Sequence, residues 1–253
     1  MQIIKGLNMY RTDLFNQDSI CIFTDSSFSK DPNCPKNKAI GTTAPAFCVY
    51  NGDSCIQQGY QILPNSTSQQ GELYALLLGV FNSYKYRNFP HIRIFSDNQN
   101  AVFAIRERIF KWVEDTENGK LVLGDNGDIC NQAYILNIVN TILYNNIFIE
   151  LYHIKGHVNI KNEATLKQAK DTFRKSNPFV GRIEDDTLIY QLALGNNCVD
   201  EYSTAMLYTY LFQVNYNVPK QRQIISLKYK PFDVKKYGTL VNKNGRLPVN
   251  KQL

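Results

Sequence analysis

The chain has 253 residues, of which 43% are hydrophobic and 20% charged, a composition typical of a globular protein with a sizeable core. Its six cysteines include no Cys-x-x-Cys pair and it has only three histidines, so the sequence disfavours a zinc site and a disulfide scaffold. No apolar run is long enough to span a membrane and the N-terminus lacks the apolar core of a signal peptide, so we expect a cytoplasmic protein with no membrane contact.

The net charge of +6 is unevenly distributed along the chain. From residue 214 onward there are nine lysines and arginines against one aspartate, which gives this segment +8 and leaves −2 for the rest. A basic extension indicates a polyanion or protein partner, although a solvated tail that aids solubility gives the same pattern. We divide the chain into a lead-in (1–18), a domain (19–213) and a basic C-terminal extension (214–253).

The first half of the domain alternates short apolar runs with turn signals. A helix should begin at Glu72 and continue to about residue 86, because leucines recur there at helical spacing, and Thr67 or Ser68 can cap it. A polar, lysine-rich and asparagine-rich stretch over 29–43 is predicted to be a loop. The predicted strands are 19–24, 44–50, 54–63 and 91–96.

The second half is richer in helical patterns. We predict that the last helix of the domain begins at Asn196 and ends near Val214. The other predicted elements are helices over 98–113, 129–144 and 162–176 and a strand over 147–154. Three hairpin-connected strands followed by helix-connected strands predict an α/β fold with a mixed five-stranded sheet, first antiparallel and then parallel, flanked by helices.

Three acids lie at the ends of predicted elements. Asp25 and Asp97 each follow an apolar strand, and Glu72 opens the helix between them. A single acid after a strand is usually a turn former, but the recurrence of the pattern suggests that these side chains converge. Clustered carboxylates are ligands that Mg²⁺ prefers, so the sequence predicts a divalent-metal site.

Five short motifs, in order and on the expected elements, resemble those of type 1 ribonuclease H over roughly residues 19–213. The family patterns are Thr-Asp-Gly-Ser, Thr with two amides and Glu-Leu-x-Ala, Thr-Asp-Ser, Lys-Gly-His, and Asn-x-x-Ala-Asp-x-x-Ala. The corresponding segments here are Thr24-Asp25-Ser26-Ser27, Thr67-Ser68-Gln69-Gln70-Gly71-Glu72-Leu73-Tyr74-Ala75, Phe95-Ser96-Asp97-Asn98, Lys155-Gly156-His157 and Asn196-Asn197-Cys198-Val199-Asp200-Glu201-Tyr202-Ser203. The resemblance implies a ribonuclease H-like fold.

The resemblance also implies an activity, namely metal-dependent hydrolysis of the RNA strand of an RNA–DNA hybrid with a 5′-phosphate product. It implies two Mg²⁺ ions per site, with Mn²⁺ as a substitute, clamping the attacking and leaving oxygens. Asp25 would ligate both ions, Glu72 and Asp97 would complete one site, and Asp200 the other. His157 would assist proton transfer or product release.

The spacing after His157 departs from the family. A short count from His157 leads to Leu166 or Lys167, neither of which is a metal ligand. We therefore expect an insertion at about residues 158–195, before the last motif.

The fourth acid is consequently open to more than one assignment. We prefer Asp200, because Asn196 precedes it by the family's four residues and because we expect it near the start of an apolar helix. Asp171 and the Asp185-Asp186 pair are the alternatives.

A protein distinguishes RNA from DNA through polar groups near the ribose 2′-hydroxyl. Helix capping would equally explain several of the polar residues in the second motif. One candidate, Ser26, stands where the family has glycine, which affects how closely the backbone there approaches nucleic acid. The resemblance implies that the substrate-binding residues are Ser26, Ser68, Gln69, Gln70, Asn98 and Asn196.

Phosphates of the hybrid would be held by basic side chains near the second helix and by the tail. The basic handle of the family is reduced here, to Arg106, Arg108, Lys111 and Lys120.

Two other functions remain open from the sequence. One is a DNA nuclease of the same superfamily, such as a junction resolvase, and the other is a non-catalytic nucleic-acid-binding module. The Lys-Gly-His segment and the amides of the second motif favour the ribonuclease, and the full set of costly clustered acids disfavours an inactive copy. We expect a monomer of bacterial or viral origin that binds RNA–DNA hybrids.

Overall fold

The protein is described by a computed structural model in which residues 15, 17–35, 39–108, 122–123, 127–128, 131–180 and 186–214 are defined. The strands are β1 Ser19–Lys30, β2 Gly41–Asn51, β3 Ser54–Tyr60, β4 Leu63–Ser66, β5 His91–Ser96 and β6 Glu150–His153. The helices are α1 Ser68–Ser83, α2 Gln99–Phe103, α3 Gln132–Tyr144, α4 Glu163–Ser176 and α5 Asp186–Val214.

The sheet has the strand order β3-β2-β1-β5-β6, and the short β4 pairs with β2 beside this path. β2 is antiparallel to β1 and to β3, whereas β5 is parallel to β1 and to β6. The predicted mixed α/β sheet is therefore confirmed, with one further short strand. β1 and β5 run in parallel at the centre and their pairing stops at Thr24 and Ser96, so that Asp25, which lies within β1 and not after it as predicted, is beside Asp97, which follows β5.

Helices cover both faces of the sheet. Side chains alternate along β1, so that Ile20 and Ile22 pack with the core under α1, α2 and α3, while Cys21 and Phe23 pack with the core under α4 and α5. Burial on both faces explains why the central strand is a continuous apolar run instead of an alternating one.

Helix α1 begins at Ser68 and not, as predicted, at Glu72. Thr67 caps it, as the sequence suggested: Thr67 Oγ1 accepts from the backbone N–H of Gln70 at 3.2 Å, and Gln70 Oε1 accepts from the N–H of Thr67 at 2.9 Å. This reciprocal capping box adds a turn before Glu72. Further along, a Cβ at Gly79 would lie 2.6 Å from Thr24 Cγ2, so α1 packs closely on β1.

Helix α5 is continuous from Asp186 to Val214, so the predicted helix start at Asn196 is wrong. The misleading residue is Gly195, which precedes Asn196 and has the character of a helix end. In the structure a Cβ at Gly195 would overlap the ring of Phe23. The glycine therefore marks a close approach of the helix to β1, and Asp200 lies in the middle of α5.

Several other boundaries also differ from the predictions. The predicted loop over 29–43 is partly strand, because β1 and β2 extend to residues 30 and 41. The predicted helix over 98–113 is a single α-turn followed by a π-turn at 104–108, with 109–113 outside the described residues. Residues 122–123 pair with 127–128 as a separate two-stranded ladder. Residues 1–14 and the extension from 215 lie outside the described residues.

None of the helices in the described ranges combines the length and the apolar character needed to cross a membrane.

Candidate active site

Three carboxylates converge where β5 ends beside β1, although β1 itself continues past Asp25 to Lys30 in its pairing with β2. The Cα partners Thr24 and Ser96 form the last pair of the parallel ladder, so that Asp97 leaves the sheet beside Asp25. The carboxylate of Glu72 reaches the same point from helix α1. One carboxylate oxygen of each lies within 4.8 Å of those of the other two, and Asp25 is only 6% exposed. The sequence prediction that these three acids meet is in agreement with this geometry.

The electrostatics of this carboxylate cluster (Asp25, Glu72 and Asp97) favour a bound cation. Burial, and then the charges of the neighbouring acids, raise the pKa of Asp25 and of Glu72 well above their usual values. Burial also raises the pKa of Asp97. Among the described residues, no lysine or arginine forms an ion pair with any of the three. Glu72 Oε2 is buried without a hydrogen-bond partner, so a ligand position is available.

Asp200 approaches the cluster from α5. Its charge contributes to the raised pKa of Asp25 and of Glu72, which places it within electrostatic reach of both. Its Oδ2 lies 3.2 Å from Nδ1 of His157, whose side chain is 80% exposed. The structure thus brings Asp200 and His157 together beside the three acids.

The alternative fourth acids lie elsewhere. Asp171 is exposed on α4. Asp186, at the first residue of α5, is exposed and forms an ion pair with Lys170. In contrast to Asp200, neither is among the neighbouring charges that raise the pKa of Asp25, Glu72 or Asp97, and Asp185 lies outside the described residues.

Ser26 does not present its hydroxyl at the surface. Its side chain is buried and its Oγ, which has no hydrogen-bond partner, lies against α1, where a Cβ at Gly71 would overlap it. The backbone N–H of Ser26 donates to Asp25 Oδ1 at 2.6 Å. The residue that replaces the family's glycine therefore holds the Asp25 carboxylate through its main chain.

The other substrate-binding candidates fall into three groups. Gln70 and Asn98 use their side chains as helix caps, Asn98 by accepting from the N–H of Ala101 at 2.9 Å. Ser68 is exposed and Gln69 half-buried, so both are accessible to a ligand. Asn196 is 1% exposed, neither atom of its amide lies within hydrogen-bond distance of a partner, and its side chain offsets part of the rise in the pKa of Asp97 that burial causes.

Sequence reasoning missed a hydrogen-bond network that holds the backbone of Asp97. His153 lies at the end of β6 with Nε2 3.1 Å from the carbonyl oxygen of Asp97 and Nδ1 2.8 Å from Ser176 Oγ. Asn177 Oδ1 accepts from the N–H of His153 at 3.1 Å and from Nη1 of Arg106 at 2.8 Å. No local sequence pattern links these residues, which are brought together only by the packing of α4 on β6.

Arg106 is consequently not available for phosphates, and that expectation is wrong. Its guanidinium also donates to the carbonyl of Ser176 and to Glu107, both at 2.7 Å. It lies over the rings of Phe103 and Phe179, with centroids at 5.1 and 5.0 Å. Arg108 is exposed, whereas Lys111 and Lys120 lie outside the described residues.

Comparison with known proteins gives a family match and distant structural neighbours. Residues 17–174 match the RNase H family model, and a search of curated proteins found no match. The RNase H domain of prototype foamy virus is 17% identical over 71% of this chain and 95% of its own, with a TM-score of 0.46. RNase H1 from the archaeon Halobacterium salinarum is 15% identical over 61% of this chain and 98% of its own, with a TM-score of 0.38.

A third neighbour is the foamy viral protease-reverse transcriptase in complex with an RNA/DNA hybrid, 16% identical over 69% of this chain, with a TM-score of 0.45. This chain spans only 21% of that protein's length. The family match ends before Asp200 but includes Asp25, Glu72, Asp97 and His157, and it extends over more than half of the sequence. The chain belongs to the RNase H family.

Proposed function

We propose that this protein is a metal-dependent endoribonuclease that hydrolyses the RNA strand of RNA–DNA hybrids and leaves 5′-phosphate ends. The observation that carries the proposal is the convergence of Asp25, Glu72 and Asp97 within 4.8 Å, where the parallel pairing of β1 and β5 stops. Family membership supports nuclease chemistry at this position.

The donor set fits divalent cations. Hard oxygen ligands, raised pKa values caused by burial and mutual repulsion, and the unpartnered Oε2 of Glu72 all favour a small, highly charged ion such as Mg²⁺ or Mn²⁺. Asp25, Glu72, Asp97 and Asp200 would hold two such ions. When bound, these ions would activate the attacking water and stabilise the leaving oxygen of an in-line displacement.

His157 is assigned the proton-transfer role beside this cluster. Its Nδ1 faces Asp200 at 3.2 Å, which favours a proton on that nitrogen and leaves Nε2 on a side chain that is 80% exposed. A histidine so placed can exchange protons between solvent and the reacting phosphate, or assist departure of the product.

Ser68 and Gln69 are the proposed contacts to the hybrid, because both are accessible and lie about one turn before Glu72 on α1. A hydroxyl and an amide at that position can hydrogen-bond the 2′-hydroxyl that distinguishes the RNA strand.

A cleavage assay on matched substrates tests the proposal. RNA–DNA hybrid, double-stranded RNA and DNA duplex of one sequence are incubated with the protein and Mg²⁺, with Asp25→Asn as the inactive control. Preferential, Mg²⁺-dependent cutting of the RNA strand of the hybrid is expected. Preference for DNA duplexes or junctions would indicate a DNA nuclease, and binding without cleavage of any substrate would indicate a non-catalytic module.

A further inference from the structure

A hydroxyl group of α5 is inserted between two strands of the sheet. Ser203 Oγ accepts from the backbone N–H of Ser27 on β1 at 2.6 Å and donates to the carbonyl oxygen of Ala44 on β2 at 2.7 Å. Ser27 and Ala44 face each other in the antiparallel ladder. Ser203 is fully buried, its bond to Ala44 is buried as well, and its bond to Ser27 is partly buried.

A second hydroxyl pair lies next to the first. Ser27 Oγ and Thr204 Oγ1 are 2.6 Å apart, with either atom as the donor. Ser27 is therefore linked to α5 through both its main chain and its side chain. These contacts fix the helix both along its axis and in rotation about it, because they involve two successive residues of α5.

The position of this anchor connects it to the candidate active site. Ser203 is three residues after Asp200, hence on the same side of α5, and Ser27 is two residues after Asp25, hence on the same side of β1. These contacts thus join the helix that carries Asp200 to the strand that carries Asp25. They lie three residues from Asp200 along the helix and two residues from Asp25 along the strand.

Asp200 needs such an anchor because it lies in the interior of a 29-residue helix. An acid at a helix start is oriented by the cap, whereas an acid in mid-helix is oriented only by how the whole helix lies on the sheet. Gly195 sets the distance of α5 from β1 through its contact with Phe23, whereas the directional hydrogen bonds of Ser203 also restrain rotation and sliding of the helix near Asp200. The motif that the sequence resembles has alanine at the position of Ser203, so this hydroxyl is a feature of the present chain.

We propose that Ser203 is a positioning residue that holds Asp200 against the carboxylate cluster through its bridge between Ser27 and Ala44. The inference rests on the proposed function only in that Asp200 takes part in metal binding. It predicts that the hydroxyl contributes to metal affinity, which a hydroxyl that only stabilises the fold would not do.

The test is a metal-binding cycle on the full chain. Mn²⁺ affinity is measured by calorimetry for wild type, Ser203→Ala, Asp200→Asn and the double variant, with the melting temperature of each recorded without metal. Ser203→Ala should weaken Mn²⁺ binding about tenfold, the scale for partners that orient metal ligands. In the Asp200→Asn background the same change should have no further effect, because the group it positions is gone.

Two further variants separate positioning from stability. Ser83→Ala removes another fully buried hydroxyl, one that donates to the carbonyl of Val80 within α1, and should lower the melting temperature without changing Mn²⁺ affinity. Thr204→Val removes the second link and keeps the shape of the side chain. It should weaken Mn²⁺ binding by a few-fold, and it serves as the main variant should Ser203→Ala fail to fold.

Unchanged Mn²⁺ affinity in Ser203→Ala and Thr204→Val, or equal weakening in both Asp200 backgrounds, would overturn the inference. A wild type that binds Mn²⁺ but cleaves no hybrid would disprove the proposed function and leave this inference intact. A wild type that binds no Mn²⁺ or Mg²⁺ would overturn both.

Discussion

Gly156 lies directly against the carboxylate of Asp97, and a Cβ at position 156 would overlap Oδ2 of that aspartate. The next residue, His157, has a φ of 52°, in the left-handed region where non-glycine residues are uncommon. The loop after β6 is thus pressed onto Asp97 and then turns sharply so that His157 faces Asp200. The glycine of the Lys-Gly-His motif is explained by this close approach.

Gly156→Ala should therefore displace the Asp97 carboxylate or the loop that carries His157. We expect at least tenfold weaker Mg²⁺ or Mn²⁺ binding and a comparable loss of cleavage rate, since displacing a ligand or its support typically costs 10- to 100-fold. Calorimetric titration with Mn²⁺, followed by single-turnover cleavage of one hybrid, measures both effects.

Gly52→Ala provides the matched control. Gly52 has a φ of 55° in the β2–β3 hairpin, and a Cβ there would meet no atom within 4 Å. Alanine at that position costs about 1 kcal/mol of stability through backbone strain but should leave metal affinity unchanged. Equal effects of the two substitutions on metal affinity would refute the proposed role of Gly156.

The carboxylate cluster should destabilise the metal-free protein at neutral pH. Acids whose pKa is raised in the folded state bind protons more tightly when folded than when unfolded, so stability falls as the pH rises above about 4. Asp25→Asn removes one charge from the cluster and should raise the melting temperature at pH 7 in EDTA, by about 3 °C per kcal/mol. The variant should also lose most of the stabilisation that wild type gains from Mg²⁺.

Calorimetric melting of wild type and Asp25→Asn from pH 4 to 8, in EDTA and in Mg²⁺, gives the difference between their melting temperatures. In EDTA this difference should widen as the pH rises; a difference that narrows would contradict the destabilising role of the carboxylate cluster.

The sequence was sufficient to predict the sheet and the three acids, because both follow from local patterns. Apolar runs that end in Asp25 and Asp97 indicate strands, and the parallel pairing of those strands brings the two acids together, although β1 continues to Lys30. The interior position of Asp200 was not predictable in the same way. Gly195 has the local character of a helix end, and only the ring of Phe23, distant in sequence, shows that it is a packing position.

The roles of polar side chains were the least predictable part. Arg106 and Asn98 are both of residue types that bind nucleic acid, yet one is fixed by Ser176 and Asn177 and the other caps α2. Which use prevails depends on partners that are far apart in the chain, so composition and spacing do not determine it.

Gln69 and Gln70, adjacent in sequence, should behave differently when replaced by alanine. Gln70 Oε1 accepts from the N–H of Thr67 in the capping box, so Gln70→Ala should cost about 1 kcal/mol of stability. Gln69 is half-buried and has no such cap bond, so Gln69→Ala should leave stability within about 0.5 kcal/mol and weaken hybrid binding. Urea melts and fluorescence-anisotropy titrations distinguish the two; identical behaviour would contradict the division of roles.

Deleting residues 215–253 should weaken hybrid binding and reduce its salt dependence. The segment carries nine lysines and arginines against one aspartate, and each phosphate that it contacts contributes about 0.9 to the slope of log affinity against log salt, on the scale known for B-DNA. Turnover at saturating substrate should change less, because the described domain ends at Val214 with its site intact. Binding titrations at several salt concentrations give the slope. An unchanged slope would assign the segment to solubility or to a protein partner.

The fourth acid is decided by comparing Asp200→Asn, Asp171→Asn and Asp186→Asn. Asp200 lies beside His157 and contributes to the raised pKa values of Asp25 and Glu72, so its loss should lower the Mg²⁺-supported rate about a hundredfold, the scale for losing a group that stabilises transition-state charge. Asp171 is exposed on α4 and Asp186 pairs with Lys170 at the surface, where ion pairs contribute little.

Those two variants should therefore stay within a few-fold of wild type. Single-turnover rates on one hybrid, measured across a Mg²⁺ titration, separate a loss of metal affinity from a loss of rate at saturation. Asp200→Asn should require more Mg²⁺ and should still react more slowly when saturated, because both the ligand and the partner of His157 are changed. An inactive Asp171→Asn beside an active Asp200→Asn would mean that α4, and not α5, supplies the fourth acid.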